Sequence, residues 1–499
     1  MMPQTTLILF LSRALPWITL LSVLTLGSCT AQPTPTSEAE PTLPLEDCQL
    51  MTPAMSYGID AKCGTLTVFE NPATRSGRQI ELSIAVLPAV SRTPASDALF
   101  LLAGGPGQAA IETYAPLISA LTAIHQKRDI VLFDQRGTGQ SAPLTCPLDE
   151  AMPEDPTPEE TAAYLAGCAA GLDADPSLYT TAQAVEDLEQ VRAALGYAQI
   201  DLLGVSYGTR LAQAYARAYP AATRALILDG VTPLDWSLGP LNPANAQRAL
   251  DLILERCVAD PSCQTVFPDL KAELDQLLER LEAAPVELTL PDPLTGQPTP
   301  LTYDHTKLGS TLQLMSYSAE HAALMPLLIH DAALNENYDA LAAQYLILFG
   351  SLGNSLSDGL YLSVICSEDV PLYDKFTASD DSYLNFEAQE VRQGCQSWPH
   401  TAVTDDFYLP LTGDVPTLLL SGEADPVTPP TNAAQVAESL TNARQIVVQG
   451  LGHSVFYYGC MPRLLSEFLQ STDPNALDTS CVDMIQPADF FTSFTGSQP

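Results

Sequence analysis

Two glycines flank a serine in the stretch Gly204-x-Ser206-x-Gly208, between the apolar run "IDLLGV" and the helix-like segment "TRLAQAYARAY". A serine in the sharp turn between a buried strand and a helix presents its hydroxyl at the end of a sheet. The glycines leave room for the adjoining strand and helix, and the amides that begin the helix favour negative charge beside the hydroxyl. The pattern predicts a nucleophile for acyl transfer, with a structural serine in a tight turn as the alternative.

A serine nucleophile needs a base, and the base needs an acid that orients it. After a turn of this kind the expected chain order is serine, acid, histidine. His453, in the loop "GLGHS", is the histidine that follows the last predicted strand. For the acid we prefer Asp425 over Glu423 in the Pro-flanked turn "SGEADPVTP", and Asp229, at the end of the strand after the serine turn, is the second choice.

Backbone amides must stabilise the oxyanion that such a nucleophile generates. One amide comes from the residue after the nucleophile, here Tyr207, and the other from a loop after an earlier strand. The loop "LLAGGPGQ" fits the second place, because Gly104 and Gly105 let the backbone approach the reacting carbon closely. A plain Gly-Pro turn is the alternative interpretation of this loop.

The elements that position these residues follow an α/β pattern. Apolar runs such as "ALFLLAGG", "DIVLFDQRG" and "RALILDG" end in glycines or polar loops and alternate with helical segments, which predicts a mostly parallel sheet with helices on both faces. The runs "GTLTVFEN" and "RQIELSIAVLPA" alternate in polarity and predict a hairpin ahead of it. Functional residues in such sheets collect at the carboxyl ends of the strands.

Five motifs occur in order along the chain: "GGPGQ", "FDQRGTGQS", "GVSYGT", "SGEADPVTP" and "GLGHS". Together they resemble the prolyl iminopeptidase and tripeptidyl aminopeptidase group of α/β-hydrolases, from about Cys48 onward. The resemblance implies a catalytic triad of Ser206, Asp425 and His453 and oxyanion amides from Gly105 and Tyr207. It also implies that Asp134 and Arg136 of "DQRG" brace the Gly-Pro loop.

One residue departs from the pattern of this group. Ala103 precedes "GGPG", where prolyl iminopeptidases usually have histidine, and this shifts the resemblance toward the secreted tripeptidyl aminopeptidase-like branch. An enzyme that reads a free N-terminus needs a carboxylate for the substrate ammonium. The segment "YLSVICSEDVP" resembles one in that branch, and it offers Glu368 first and Asp369 second. A solvated acidic pair is the alternative.

The domain organisation follows from changes in pattern along the chain. Residues 48–234 and 411–499 carry the strand rhythm, the second with a disulfide-pinned tail, whereas 235–410 predict an inserted, mainly helical cap. Residues 1–28 end in "LGSC", which resembles a bacterial lipobox with Cys29 as the lipidated residue; ordinary cleavage and an uncleaved anchor are the alternatives. Residues 29–47, rich in Pro and Thr, predict an extended tether. An exported, lipid-anchored protein of the bacterial cell envelope is expected.

Eleven cysteines in an exported chain predict disulfides. With Cys29 set aside for lipid, ten remain. The simplest pairing joins sequential neighbours, although the sequence leaves the connectivity open. The pairs are Cys48–Cys63, Cys146–Cys168, Cys257–Cys263, Cys366–Cys395 and Cys460–Cys481. The spacing of cysteines and histidines predicts no metal site, and no cofactor is expected.

A formal net charge of −38 argues against a nucleic-acid partner, because phosphate binding needs a basic face. The sequence therefore predicts a serine exopeptidase that removes short pieces, of tripeptidyl or prolyl type, from the N-termini of peptides through an acyl-enzyme. Two alternatives stay open: an esterase or amidase for small molecules, and an inactive, lipid-tethered binding protein on the same scaffold.

Overall fold

The structure is a computed structural model that describes residues 43–53, 55–147, 156–293, 296–376 and 387–496. The predicted signal segment 1–28, the lipidation site Cys29 and most of the tether lie outside the described residues. The folded body begins before the predicted boundary at Cys48, because the first strand starts at Glu46. Leu43 already packs in the core, and its amide donates to Ala194 O at 3.2 Å.

The central sheet confirms the predicted α/β-hydrolase architecture. Its order is β1-β2-β3-β5-β4-β6-β7-β10-β11, antiparallel from β1 to β5 and parallel from β5 to β11. The predicted hairpin is the β2–β3 pair, and a second, two-stranded sheet pairs β8 with β9. The strands are β1 (Glu46–Leu50), β2 (Ile59–Phe69), β3 (Gln79–Leu87), β4 (Ala98–Leu102), β5 (Asp129–Phe133), β6 (Ile200–Val205), β7 (Thr223–Asp229), β8 (Val286–Pro291), β9 (Pro298–Tyr303), β10 (Thr417–Gly422) and β11 (Ala443–Val448).

The helices divide between the two faces of the sheet and the inserted segment. In chain order they are α1 (Ala110–Tyr114), α2 (Thr122–His125), α3 (Pro158–Gly171), α4 (Thr181–Ala194), α5 (Tyr207–Ala218), α6 (Leu238–Ala259), α7 (Pro261–Val266), α8 (Leu270–Ala283), α9 (His305–Met315), α10 (Ala319–Ala322), α11 (Met325–Asn335), α12 (Asp339–Ser355), α13 (Asp358–Val364), α14 (Glu387–Cys395), α15 (Pro430–Glu438) and α16 (Met461–Ser471).

Strand periodicity explains how the sheet is covered on both faces. Phe100 and Leu102 of β4 pack with α4, α5 and α15, whereas Leu99 and Leu101 point the other way and pack with α1, α2 and α16. Successive side chains of a strand alternate between faces, so a wholly apolar strand serves two cores. All five residues of β4 are buried. The carboxyl ends of β4, β6, β7 and β10 meet at one edge, and the predicted site residues lie there.

The segment between β7 and β10 contains residues 235–410, for which the sequence analysis predicts an inserted, mainly helical cap. Helices α6 to α14 occupy most of its described part, and α6, α8, α9, α11 and α12 share a core of their own. The sequence analysis named no strands here, yet the antiparallel pair β8–β9 lies inside the cap. Its strands pair in register from Val286↔Tyr303 to Pro291↔Pro298.

Five disulfides join the sequential neighbours that the simplest pairing predicts. Cys48–Cys63 links β1 to β2, and Cys460–Cys481 pins the tail after α16. In the cap, Cys366–Cys395 ties the segment that contains Glu368 and Asp369 to α14. Because each bridge closes a short stretch of chain, sequence proximity was a sufficient guide to the pairing.

Close packing of β6, α5 and β4 generates the first prediction. A Cβ on Gly208 would lie 2.2 Å from the carbonyl oxygen of Leu102, so Gly208→Ala must push the first turn of α5 away from β4. We expect the substitution to lower the free energy of unfolding by roughly 2–3 kcal/mol. Gly167→Ala in α3 is the matched control, since its Cβ would meet nothing within 4 Å and alanine favours helix. Equal denaturation midpoints for the two variants would contradict this account.

Candidate active site

Ser206 occupies the turn from β6 into α5. Its backbone has φ 56° and ψ −124°, a strained conformation for a residue with a side chain. The turn is held from two sides: the Ser206 amide donates to Asp229 O at 2.9 Å, and Thr209 donates its amide and its hydroxyl to Ser206 O. A Cβ on Gly204 would meet Gly208 O at 2.3 Å. Because of these contacts, the turn is closely packed around Ser206, as the sequence predicts.

Asp425 and His453 form a hydrogen-bonded pair. His453 Nδ1 lies 2.8 Å from Asp425 Oδ2, and Asp425 is fully buried. The other carboxylate oxygen accepts the amides of Val427 and Thr428 at 2.9 and 2.8 Å. Arg248 of the cap fixes the same turn by donating to the carbonyls of Glu423 and Asp425. The geometry therefore leaves Nε2 as the ring nitrogen that is free to face a substrate.

Asp425 and His453 each favour the charged form of the other. Burial alone would raise the pKa of Asp425, but the charge and hydrogen bond of His453 and the two amides together lower that pKa. Burial alone would lower the pKa of His453, but the charge and hydrogen bond of Asp425, with the charge of Asp229, raise that pKa above its usual 6.5. An ionised aspartate therefore holds an imidazole that accepts protons readily.

Thr428 belongs to this pair, and the sequence analysis missed it. Its hydroxyl lies 2.8 Å from Asp425 Oδ2 and 3.1 Å from His453 Nδ1. The hydroxyl thus closes a triangle with the carboxylate and the imidazole. The available signal was a threonine three residues after an aspartate in "DPVT", a spacing typical of side-chain-to-backbone turns.

The two other candidate acids hold the loop that carries His453 rather than the imidazole. Asp229 Oδ2 accepts from Ser454 Oγ and from the amides of Val455 and Phe456, at 3.2, 2.7 and 2.9 Å. Glu423 Oε2 accepts the amide of Gly450 at 3.0 Å. The structure thus hydrogen-bonds Asp425, the preferred acid, to His453, and uses the alternatives as anchors for the neighbouring backbone.

Ser206 lines a small cavity of about 60 Å³, together with the predicted oxyanion loop and residues of the cap. Gly105 and Tyr207, the predicted oxyanion residues, both line it beside Ser206. Gly105 has φ 101°, and a Cβ on Gly104 would lie 3.1 Å from Ser206 Cβ, so the loop passes directly over the serine. The remaining lining residues are Pro106, Arg210, Thr232, Trp236, Leu238, Tyr317, Ile365, Asp369, Val427 and Thr428.

His453 contacts two residues that line this cavity. Its ring packs edge-on against Tyr317, with ring centroids 5.2 Å apart, and its side chain is 10% exposed. Thr428 contacts His453 on one side and lines the cavity with Ser206 on the other. Tyr317 and Thr428 therefore connect the imidazole of His453 to the cavity that Ser206 lines.

The "DQRG" segment braces the site differently from what the resemblance implies. Asp134 accepts the amide of Ile111 at 2.9 Å, and so anchors the first turn of α1 just after the Gly-Pro loop. Arg136 instead forms a buried, two-pronged pair with Asp187 of α4, at 2.6 and 2.8 Å. Gln135 is the residue of this segment that approaches the site, because its amide donates to the Tyr207 hydroxyl at 3.2 Å.

The two cap carboxylates differ in position. Glu368 is fully buried and accepts the amide and the hydroxyl of Thr181 at 2.7 and 2.8 Å, whereas Asp369 lines the cavity. Arg210, one turn after Ser206 on α5, pairs with Asp369 at 2.5 Å and approaches Glu368 at 3.5 Å. Burial raises the pKa of Glu368 to about 7, so it is only partly charged at neutral pH. The geometry therefore favours Asp369, the second choice of the sequence analysis.

The described residues also bear on other kinds of site. In that part of the chain, no group of three or more His, Cys, Asp or Glu side chains could hold a metal ion. None of its helices combines the length and apolar character needed to cross a membrane.

Comparisons with known proteins agree with this geometry. Residues 97–264 match a family model described as the alpha/beta hydrolase fold, and residues 382–481 match one described as TAP-like protein. The chain therefore has the alpha/beta hydrolase fold, and its C-terminal part is similar to TAP-like proteins. This confirms the resemblance that the five motifs carry, and the second match spans the turn with Asp425 and the loop with His453.

Three curated relatives span most of the chain. Serine protease Hip1 of Mycobacterium tuberculosis is 25% identical over 86% of this chain and 90% of its own length. Tripeptidyl aminopeptidase of Streptomyces coelicolor is 26% identical over 85% of this chain and 84% of its own. Carboxylesterase B of M. tuberculosis is 27% identical over 83% of this chain and 85% of its own.

The position of Thr428 generates a prediction about the acid–base pair. Thr428→Val keeps the size of the side chain but removes the hydroxyl beside Asp425 and His453, so a charge-assisted hydrogen bond is lost. We expect kcat/KM for a short chromogenic ester to fall roughly 10-fold. Thr428→Ser is the matched control and should keep most of the activity. A Val variant as active as the Ser variant would remove Thr428 from the machinery.

Proposed function

We propose that this hydrolase is a serine exopeptidase that removes short N-terminal pieces, of tripeptidyl or prolyl type, from peptides through an acyl-enzyme. The observation that carries the proposal is the buried Asp425–His453 pair, whose neighbours Tyr317 and Thr428 line the same cavity as Ser206 and the loop at Gly105. The names of two relatives, a serine protease and a tripeptidyl aminopeptidase, support the same reaction class.

In the proposed mechanism Ser206 Oγ attacks the carbonyl carbon of the scissile peptide bond while His453 Nε2 takes the hydroxyl proton. The amides of Gly105 and Tyr207 stabilise the oxyanion. The C–N bond then breaks, His453 gives its proton to the leaving amine, and the acyl group stays on Ser206. Water, deprotonated by His453, releases the acyl group and restores the serine. Asp425 keeps its charge throughout and stabilises the imidazolium.

The cap supports an exopeptidase rather than an enzyme that cuts within long chains. The cavity beside Ser206 is only about 60 Å³, and its walls include Trp236, Leu238, Tyr317 and Ile365, which leaves little room for a long chain. Asp369 is the carboxylate in that wall, and a substrate ammonium would find its partner there. Arg210 neutralises part of this charge. The ammonium of the free N-terminus would therefore be a third charged group beside Arg210 and Asp369.

Two other functions remain as outcomes of the test. An esterase or amidase for small molecules is the second candidate, because the cavity beside Ser206 is small and one relative is named as a carboxylesterase. An inactive, lipid-tethered binding protein is the third candidate.

A variant of the cap carboxylate tests the substrate class. We compare a tripeptidyl para-nitroanilide that has a free N-terminus with its N-acetylated form. The wild type should prefer the free form, and Asp369→Asn should reduce that preference roughly 10-fold or more through KM, because an ammonium loses its charged partner. Asp374→Asn, an exposed aspartate of the same segment, is the matched control and should leave the preference unchanged.

Each contrary outcome of that assay has a definite meaning. Turnover of short acyl esters without cleavage of either anilide would favour the esterase. Failure to turn over any of these substrates would favour the binding protein. Equal cleavage of the free and acetylated anilides by the wild type would contradict recognition of the N-terminus.

We also propose that the chain is exported to the bacterial cell envelope and anchored there by a lipid on Cys29. The motif "LGSC" and the five disulfides of the described residues support this proposal. Cys29→Ala should move the protein from the membrane fraction to the soluble fraction, and the mature wild type should begin at a modified Cys29 by mass spectrometry. An unmodified cysteine at that position would contradict the lipid anchor.

A further inference from the structure

Asp229 contacts both the turn that holds Ser206 and the loop that carries His453. It ends β7, and its backbone carbonyl accepts the Ser206 amide at 2.9 Å. Its Oδ2 atom accepts from the hydroxyl of Ser454 and from the amides of Val455 and Phe456. The residue therefore connects the backbone of Ser206 to the three residues that directly follow His453.

The chain after Asp229 also shapes the place of the imidazole. A Cβ on Gly230 would lie 2.8 Å from Cε1 and 3.1 Å from Nδ1 of His453, so the ring packs directly on this glycine. Gly230 has φ 63°, a conformation that glycine adopts without strain. Tyr317 packs edge-on against the same imidazole. The ring is thus held between the end of β7 and the cap.

Holding the loop after His453 does not by itself require a negative charge on Asp229. The side chain is fully buried, three donors converge on Oδ2, and Oδ1 has no hydrogen-bond partner among the described residues. A buried carboxylate with an unpaired oxygen is costly, whereas the amide of asparagine would accept the same donors without a charge. A role that needs the negative charge accounts for an aspartate at this position.

We propose that Asp229 is a second carboxylate that positions His453, because it anchors the loop 454–456 and stabilises the imidazolium formed during the reaction. The inference rests on the proposed function, in which His453 is the base. Asp425 orients the ring through Nδ1, and Asp229 fixes the backbone that carries the ring and adds a second negative charge beside it. Asp229 touches neither substrate nor reacting atoms in this account.

The groups around the pair determine how its charge appears in a pH profile. Asp425 and Asp229 are the charges that raise the pKa of His453. Arg248 binds the backbone of the Asp425 turn. Burial, and after it the charge of Asp229, raises the pKa values of Tyr114 and Tyr457. Burial raises the pKa of Asp229 itself to about 6, against the pull of its three donors and His453, so it is mostly ionised at neutral pH.

Asp229→Asn tests the inference, with the pH dependence of kcat/KM as the readout. The reaction needs neutral His453, so activity falls as the pH drops through the pKa of that residue. Without the charge of residue 229 the imidazolium is less stable and its pKa falls. The acid limb should therefore move to lower pH by roughly 0.5–1 unit. The value of kcat on the plateau should fall several-fold, with little change in KM, since positioning rather than binding is lost.

Two further variants separate charge from support. Ser454→Ala removes one of the three donors without changing any charge, and its acid limb should stay at the wild-type position. Asp229→Glu keeps the charge and misplaces the loop, so kcat should fall while the limb stays near its wild-type pH. The Glu variant also keeps the test informative if the Asn variant proves unstable.

The outcomes distinguish this inference from the proposed function. A wild-type profile with an acid limb, together with an Asn variant whose limb does not move, would overturn the role of the Asp229 charge and leave the triad intact. A Glu variant whose limb shifts as far as that of the Asn variant would also overturn it. A wild-type enzyme with no acid limb would instead contradict His453 as the base, and so the proposed function itself.

Discussion

The turn at Ser206 is the constraint on which the rest of the site depends. β6 must become α5 within one residue, so the serine adopts a positive φ, and the residues two positions before and after it must be glycines. That geometry places the hydroxyl at the carboxyl edge of the sheet, where β4, β7 and β10 also end. The oxyanion loop after β4, Asp229 at the end of β7 and Asp425 after β10 lie at the same edge of the sheet as the serine for this reason. Loss of the turn would separate all of them.

Buried charged side chains then hold the cap against this edge of the sheet. Arg210 reaches from α5 to the carboxylates of Glu368 and Asp369, and Arg248 reaches from the cap to the turn at Asp425. Each of these contacts crosses between core and cap. Because breaking one partner of a buried pair is costly, the cap is held in a defined position above the nucleophile. In the proposed function, residues at the edge of the sheet carry out the reaction, and residues of the cap select the substrate.

Much of the site could be predicted from sequence because its residues stand at the ends of strands, in a chain order that the fold imposes. The turn at Ser206 and the pairing of Asp425 with His453 were readable in this way, and the disulfides followed from short separations. Contacts that depend on three-dimensional packing were not readable. Nothing local signals that Arg210 meets Asp369, 159 residues away, or that Arg136 pairs with Asp187 rather than with the Gly-Pro loop. The β8–β9 pair was hidden in a segment whose neighbours are helical, and Thr428 was hidden in a turn.

The central claim is that Ser206 is a nucleophile activated by His453 and Asp425. The most direct measurement is covalent labelling with a fluorophosphonate, followed by peptide mapping of the adduct. The account predicts rapid labelling of the wild type at Ser206, loss of labelling in Ser206→Ala, and strongly slowed labelling in His453→Ala with the fold intact. Labelling that persists in Ser206→Ala, or that proceeds equally fast without His453, would contradict it.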